Sequence, residues 1–168
     1  HAGIAFCTIR KGKVTWCRGY GKANIANNVA VTARTPFLLA SISKLFAATA
    51  LMQLREQGLF GLDDDVNATT PFSVVNPNTT VPVSYRSLLA HTSSIVDTNA
   101  IYQWYTYGSD SPVALYDILE DYLDPVGMHY STNNWSTSPP GSKYAYTNIG
   151  YALVGLLSEL HKKTDFAD

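Results

Sequence analysis

Two residues at the start of an apolar helical pattern, Ser41 and Lys44, have the types and the spacing needed for acyl transfer. Residues three apart on a helix share a face, so the lysine amine can lie over the serine hydroxyl. A serine hydroxyl is a weak nucleophile, but a lysine partly desolvated among Leu45, Phe46 and Ala47 can accept its proton at neutral pH. The helix start adds partial positive charge, and the Ser41 backbone N–H is a candidate for one half of an oxyanion hole.

The same tetrapeptide also fits a helix-capping serine followed by a solvent-reaching lysine, so it needs support from other segments. Three segments, in this order and at this rough spacing, resemble the class C β-lactamase and D-alanyl-D-alanine carboxypeptidase family. They are residues 37–44, residues 88–94 (Leu-Leu-Ala-His-Thr-Ser-Ser) and residues 139–151, which include Tyr-Thr-Asn at 146–148. The resemblance implies a serine hydrolase that works through an acyl-enzyme on Ser41, with a β-lactam, a D-amino peptide or an ester as substrate.

The second motif of that family is Tyr-x-Asn, which falls on Tyr146 and Asn148. Residues two apart in an extended loop point the same way, so both side chains can face one cleft. The resemblance implies that Tyr146 hydrogen-bonds the nucleophile and relays protons to the leaving group, while Asn148 contacts Lys44 and the substrate amide. A phenol near an ammonium group ionises more easily and can act as acid or base. Tyr144 is the rival candidate, and its context favours Tyr146 instead.

The histidines are not predicted to be catalytic. By the resemblance, His91 supports the fold and stabilises a loop, and His1, His129 and His161 have no assigned role. The family's third motif, a Lys-Thr-Gly or His-x-Gly strand, is absent from the sequence. Residues 163–165 (Lys-Thr-Asp) have similar letters, but they lack the glycine and are interpreted as polar residues at a helix end. The sequence therefore contains two of the three catalytic motifs, and we expect that these 168 residues cannot turn over substrate alone.

The elements that must position these motifs are strands first and then mostly helices. This order predicts an α+β, β-lactamase/transpeptidase-like fold with an antiparallel sheet, incomplete here, and an α-helical region. Residues 1–32 are predicted to form a hairpin and its lead-in, and residues 33–168 the mostly helical part of one partial domain. The strand-like runs are 4–9 and 14–19; the predicted helices are a buried one from Lys44 to a left-handed cap at Gly58, and those at 84–90, 112–123 and 149–161. A lone hairpin is marginal, so we expect further strands from a carboxy-terminal region or a second chain.

Two cysteines fall on the two predicted strands. If the hairpin pairs Arg10 with Val14, Cys7 lies opposite Cys17 and a cross-strand disulfide becomes feasible. A register slip of one residue would put the two side chains on different faces. Two unlinked, half-buried cysteines are an equally good interpretation of the sequence.

Three Asn-x-Ser/Thr sequons, at Asn67, Asn78 and Asn134, lie in polar, turn-rich stretches and are candidate N-glycosylation sites. Together with the possible disulfide they favour an extracellular or secretory-pathway protein. The chain starts at His1 without a charged and then apolar leader, so we expect any signal peptide to lie upstream or to have been removed.

Charge and composition exclude several classes of partner. The formal net charge is −1, and the 15% of charged residues form no basic block, so neither nucleic acid nor a membrane surface is expected as a partner. The longest apolar stretch, 45–54, is too short to cross a bilayer, which takes about 20 residues. The acidic triplet 63–65 matches no calcium loop and is interpreted as a solvated helix cap, so no metal or other cofactor is implied. The expected partner is a small-molecule or peptide substrate.

Two other classes of function fit parts of the sequence. A non-catalytic scaffold or self-assembling structural protein could keep the fold without the reaction, but it has no need of the Ser, Lys, Tyr and Asn combination. The aromatic segment 102–107 could bind carbohydrate or peptide, although such clusters more commonly form a lid over a cleft.

Overall fold

The computed structural model describes Ala2–Lys162, and it divides the chain into two compact units, one up to Ala40 and one from Ser41. The first unit contains three β-strands and the second four α-helices. The strands are β1 (Gly3–Arg10), β2 (Lys13–Asn24) and β3 (Val29–Ala30); the helices are α1 (Ser43–Glu56), α2 (Tyr85–Leu89), α3 (Leu115–Leu123) and α4 (Asn148–Lys162). Short 3₁₀ helices lie at Ala40–Ile42, Val66–Ala68, Asn99–Trp104 and Thr132–Asn134. Strands followed by helices are the predicted α+β arrangement.

The first unit is a three-stranded antiparallel sheet in the order β1-β2-β3. The expected pairing of Arg10 with Val14 is wrong, because Arg10 pairs with Lys13 across a two-residue turn. Further along the hairpin the register shifts by one residue, and this shift brings Cys7 directly opposite Cys17. The two cysteines form a disulfide.

The tightness of this turn explains the register. Its two central residues, Lys11 and Gly12, both have positive φ, at 49° and 73°. Positive φ at both positions is the type I′ geometry, whose twist matches that of the flanking strands. A pairing of Arg10 with Val14 would need a looser turn of three residues, and the irregularity between Thr8 and Ile9 compensates for the difference.

The second unit is built around α4, against which α1, α2 and α3 all pack. The inner face of α4 is fully buried at Leu153, Val154 and Leu157. Two large side chains, Tyr85 from α2 and Tyr122 from α3, complete the core with no more than 1% of their surface exposed. Each removes well over 100 Å² of mostly apolar surface from water, so this core is the main source of stability of the unit.

The prediction that α1 is buried on most sides is wrong for the part of the chain that the structure describes. The helix buries one stripe, Ala47, Leu51 and Leu54, at the four- and three-residue spacing of a single helix face. Leu45 and Phe46 remain about two-thirds exposed. An apolar sequence signals that a helix can be buried, but the number of neighbours decides how much of it is.

The predicted helix ends are largely confirmed. Gly58 has a φ of +78°, the left-handed conformation expected of a residue that ends a helix, and its N–H donates to the Arg55 carbonyl. Ser84 caps α2 through reciprocal hydrogen bonds with Ser87. α3 begins at Leu115 rather than at 112, because the preceding residue, Ala114, has an extended backbone.

The sequons differ in accessibility. Asn134 is only 1% exposed, and its Nδ2 donates to the carbonyls of Tyr122 and His129, so the structure contradicts the glycosylation predicted there. A glycan would remove those bonds and has no space at this site. Asn67 is half-buried, with both side-chain polar atoms bonded to its own loop. Asn78 is exposed and accessible to modification.

The acidic triplet is held by protein partners. Asp63 forms a bidentate pair with Arg86, Asp64 accepts from the Gly61 N–H, and Asp65 caps the 3₁₀ helix that follows it. No helix among residues 2–162 is long and apolar enough to cross a membrane.

Candidate functional site

Ser41 lies in the 3₁₀ turn Ala40–Ile42, which leads directly into α1. The preceding residue, Ala40, has a φ of +46°, which is unusual for a residue with a Cβ and costs on the order of 1 kcal/mol. This turn leaves the Ser41 side chain exposed, two residues before the first residue of the regular helix, Ser43. Lys44 follows on the same face, with its Nζ 3.4 Å from the Ser41 Oγ.

The four residues singled out from the sequence come together at one point. The Ser41 Oγ lies 2.6 Å from the phenolic oxygen of Tyr146, although 105 residues separate them. Lys44 Nζ donates to the Asn148 Oδ1 at 2.8 Å. The Tyr146 hydroxyl is also 3.4 Å from that amide oxygen. Packing of α1 on α4 places the start of each helix beside the other, and this contact closes the cluster.

The cluster changes the acidity of Tyr146. Hydrogen bonding to Lys44, and then to Ser41, lowers the pKa of the Tyr146 phenol from its usual range, with the positive charge of Lys44 adding to the effect. The Lys44 Nζ also lies 5.0 Å from the centre of the Tyr146 ring. A phenol with a lowered pKa can give up its proton nearer to neutral pH, so it can act as a base towards Ser41.

The expectation that Leu45 and Phe46 desolvate Lys44 is wrong, because both side chains are exposed. Lys44 is half-buried instead among aromatic rings, those of Tyr146 and Tyr151. In the described part of the chain, the aromatic rings that surround Lys44 therefore belong to α4 and to the loop before it, not to the helix that carries the lysine.

His91 supports the loop that carries Tyr146. Its Nδ1 accepts a hydrogen bond from the Thr147 N–H at 3.2 Å, and its carbonyl accepts from the Ala145 N–H at 2.7 Å. Its ring stacks on Tyr146 with centroids 4.5 Å apart. Burial, and then the charge of Lys44, lower the pKa of His91, which favours the neutral imidazole that these contacts require. This geometry agrees with the supporting role implied by the resemblance.

Asp97 belongs to the site and was missed by the sequence analysis. Its carboxylate accepts from the Thr147 hydroxyl at 2.6 Å, the Asn148 N–H at 2.7 Å and the Ile149 N–H at 3.1 Å. The Thr147 Oγ1 in turn accepts from the Gly150 N–H, so the first turn of α4 has its free N–H groups satisfied. A carboxylate at a helix start is favoured by the helix dipole. The sequence offers no indication of this role beyond the presence of an acidic residue six positions after His91.

The remaining candidates lie elsewhere. Tyr144 is 65% exposed and contacts the edge of His91. His129 is hydrogen-bonded to Asp121, and His161 to Tyr85, so both have structural partners. His1 and residues 163–165, the segment interpreted as helix-end polar residues, lie outside the described part of the chain.

Two curated proteins are similar in sequence to this chain. Protein flp of Staphylococcus aureus (strain MRSA252) is 26% identical over 159 residues, which cover 92% of this chain and 29% of that protein. Penicillin-binding protein 4* of Bacillus subtilis (strain 168) is 27% identical over 158 residues, covering 94% of this chain and 32% of that protein. The chain thus spans about three tenths of the length of these curated relatives.

A solved structure shows the same fold. The octameric penicillin-binding protein homologue from Pyrococcus abyssi superposes with a TM-score of 0.76 at 26% identity, over 98% of this chain and 36% of that one. The family model described as Beta-lactamase matches residues 1–168. The chain belongs to the β-lactamase family, a family of serine hydrolases, and it corresponds to the amino-terminal portion of its longer members.

Proposed function

We propose that the protein is a hydrolase of amides or esters that forms an acyl-enzyme on Ser41. The observation that carries the proposal is the 2.6 Å contact between the Ser41 Oγ and a tyrosine whose pKa is lowered. Neither feature is needed for stability, because Ser41 and Tyr146 are both exposed. Their alignment matches the requirement that a nucleophile lie within hydrogen-bond reach of its base.

The reaction assigns a separate task to each group. Tyr146, as phenolate, takes the proton of Ser41 while the Oγ forms a bond to the substrate carbonyl carbon. When the tetrahedral intermediate collapses, the bond to the leaving nitrogen or oxygen breaks and Tyr146 returns the proton to that atom. Water then attacks the acyl carbon and gives its proton to the Tyr146 phenolate. The bond between the acyl carbon and the Oγ breaks, the acid leaves, and Tyr146 returns the proton to the Oγ, so serine and phenolate are both regenerated. Lys44 favours the phenolate by its charge, and Asn148 holds Lys44 in place.

This assignment differs from the sequence prediction, in which Lys44 accepts the serine proton. Lys44 Nζ is 3.4 Å from the Ser41 Oγ, while the Tyr146 oxygen is 0.8 Å closer, at 2.6 Å. Proton transfer needs a short contact, so the geometry favours Tyr146 as the first acceptor. General-base catalysis of this kind contributes roughly 10²–10⁴-fold to rate.

The substrate is an amide or an ester that can acylate a serine. Two of the relatives are named as a penicillin-binding protein or its homologue, which supports a β-lactam as one test compound. The disulfide between Cys7 and Cys17 and the exposed sequon at Asn78 support a further proposal, that the protein works outside the cell or in the secretory pathway.

The test is intact-mass spectrometry of the native protein after incubation with a fluorophosphonate and, separately, with benzylpenicillin. We expect one adduct, on the peptide that contains Ser41. Ser41→Ala should abolish the adduct, while the matched variant Ser43→Ala, an exposed serine two residues away, should keep it. Labelling of Ser41→Ala at the normal rate would show that another residue is the nucleophile.

A further inference from the structure

An apolar cavity of about 330 Å³ lies beside the proposed reaction centre, within the second unit. It is open to solvent on one side and is bounded by the segment 101–111 together with faces of α3 and α4. Its apolar lining consists of Ile101, Trp104, Leu115, Ile118, Ile149 and Ala152. Its volume falls at the lower end of the range for ligand pockets, roughly 300–1,000 Å³, and suits a single ring or a short branched chain.

The cavity has an apolar interior and a polar mouth. Ile101 and Ile149 are buried, and Leu115, Ile118 and Ala152 are half-buried. Three polar lining residues, Thr106, Ser109 and Asp110, are exposed, while Ser111 and Asn148 are half-buried. An apolar interior that opens to solvent favours the binding of an apolar group, because that group leaves water, while a polar part of the same ligand can stay at the polar mouth.

Two residues join the cavity to the reaction centre. Asn148 lines the cavity, and its Oδ1 accepts from Lys44. Tyr105 also lines it, and burial raises the pKa of Tyr105, with the charges of Asp97 and Tyr146 contributing. Tyr105 therefore lies within electrostatic reach of the phenol that contacts Ser41.

We infer that this cavity is the subsite for the substrate's acyl group and that it selects an apolar group, such as a phenyl ring or a short branched alkyl chain. The inference rests on the proposed acyl-enzyme on Ser41 and adds the substrate class. In the acylation of an ester, the Ser41 Oγ forms the bond to the acyl carbon, the bond to the alkoxide or phenolate breaks, and the serine proton leaves through Tyr146. The apolar part of the acyl group occupies the cavity during this step.

The first measurement detects binding without chemistry. In the Ser41→Ala variant of the native protein, saturation-transfer NMR with phenylacetamide should show transfer to the phenyl ring, and acetamide should show none. Ala152→Leu, which places a larger side chain in the cavity, should remove the signal. Ala50→Leu makes the same change at a half-buried position of α1 outside the cavity lining, and it should keep the signal.

The second measurement uses the intact nucleophile. We expect kcat/KM for p-nitrophenyl phenylacetate to exceed that for p-nitrophenyl acetate by about tenfold or more, the discrimination typical of an apolar pocket. Ala152→Leu should lower this ratio at least tenfold, and Ile118→Ala, which enlarges the cavity, should shift the preference towards a naphthylacetyl ester. The second variant keeps the test meaningful if the larger side chain prevents folding.

The two measurements separate the two proposals. Binding of phenylacetamide without any acylation of Ser41 would retain the subsite and reject the proposed function. Acylation by both esters at equal rates, insensitive to Ala152→Leu and Ile118→Ala, would retain the function and overturn the subsite. Absence of binding together with absence of acylation would overturn both.

Discussion

Replacing Asp97 by asparagine should weaken the protein and its site together. The carboxylate accepts three hydrogen bonds at the start of α4, from the Thr147 hydroxyl and from the N–H groups of Asn148 and Ile149. The asparagine oxygen can take over the two bonds to the Oδ1, but its NH₂ group would then face the Asn148 N–H, donor against donor. An unsatisfied donor costs about 1–3 kcal/mol, and losing the charge at a helix start costs about 0.3–1 kcal/mol more.

We therefore expect Asp97→Asn to lower the free energy of unfolding by about 1–4 kcal/mol. For a protein of this size that corresponds to a fall in Tm of about 3–16 °C. The measurement is urea unfolding followed by circular dichroism, supported by a thermal scan. Glu56→Gln removes one exposed carboxylate with the same change in shape and is the matched control. Its unfolding midpoint should equal or slightly exceed that of the parent, because Glu56 is the last residue of α1, where the helix dipole disfavours a carboxylate.

Asp97→Asn should also slow acylation, even at temperatures well below the Tm, where the variant is still folded. Thr147 and Asn148 follow Tyr146 directly, so a displaced helix start moves the phenol away from the Ser41 Oγ. A displacement of about 1 Å can cost on the order of 100-fold in rate. The reasoning is refuted if Asp97→Asn unfolds at the same urea concentration as the parent and is labelled by the fluorophosphonate at the same rate.

Three other predictions use the same native protein. Tyr146→Phe should slow labelling roughly 10²–10⁴-fold, while Tyr144→Phe, which keeps its ring contact, should label normally; equal rates in the two variants would exclude the phenol as base. The pKa of His91 is lowered in the fold, so the unfolded chain binds a proton first as pH falls below about 6.5, and stability should fall from there down to the lowered pKa. His91→Gln should reduce the slope of the urea midpoint against pH in that window, and an unaltered slope would contradict the assignment. Glycosidase treatment of protein secreted by eukaryotic cells should remove a glycan from Asn78 and none from the buried sequon, as peptide mapping would show.

Much of the site could be predicted because its signals are local or familiar. Ser41 and Lys44 are three residues apart, so their proximity follows from helix geometry alone. Tyr146 and Asn148 were found through the family resemblance and their two-residue spacing. The spacing does not predict which group lies nearer to the Ser41 Oγ. Tyr146 lies at 2.6 Å and Lys44 at 3.4 Å, and this difference depends on how α1 packs against α4.

Most of the features that were missed or wrong depend on tertiary contacts; the exception is the hairpin register, which depends on the local geometry of its two-residue turn. Asp97 lies about 50 residues from the helix start that it caps, and a lone acidic residue in a loop carries no local signal of that partner. A sequon specifies three residue types but not burial, so Asn134 could not be told from Asn78. The apolar sequence around Leu45 and Phe46 says that α1 can be buried, but not which of its faces has a neighbour.

The start of α4 links stability to chemistry in this protein. Tyr146 and Asn148 stand on either side of Thr147, whose side chain is fully buried and bonded both to Asp97 and within its own helix. The exposed phenol is therefore held within 2.6 Å of Ser41 by the buried backbone that follows it and by the stacking of its ring on His91. Because the buried residues fix the backbone and the exposed ones meet the substrate, substitutions at Asp97 should alter folding and rate together. Substitutions at Tyr146 should alter the rate alone, and this contrast separates a positioning residue from a catalytic one.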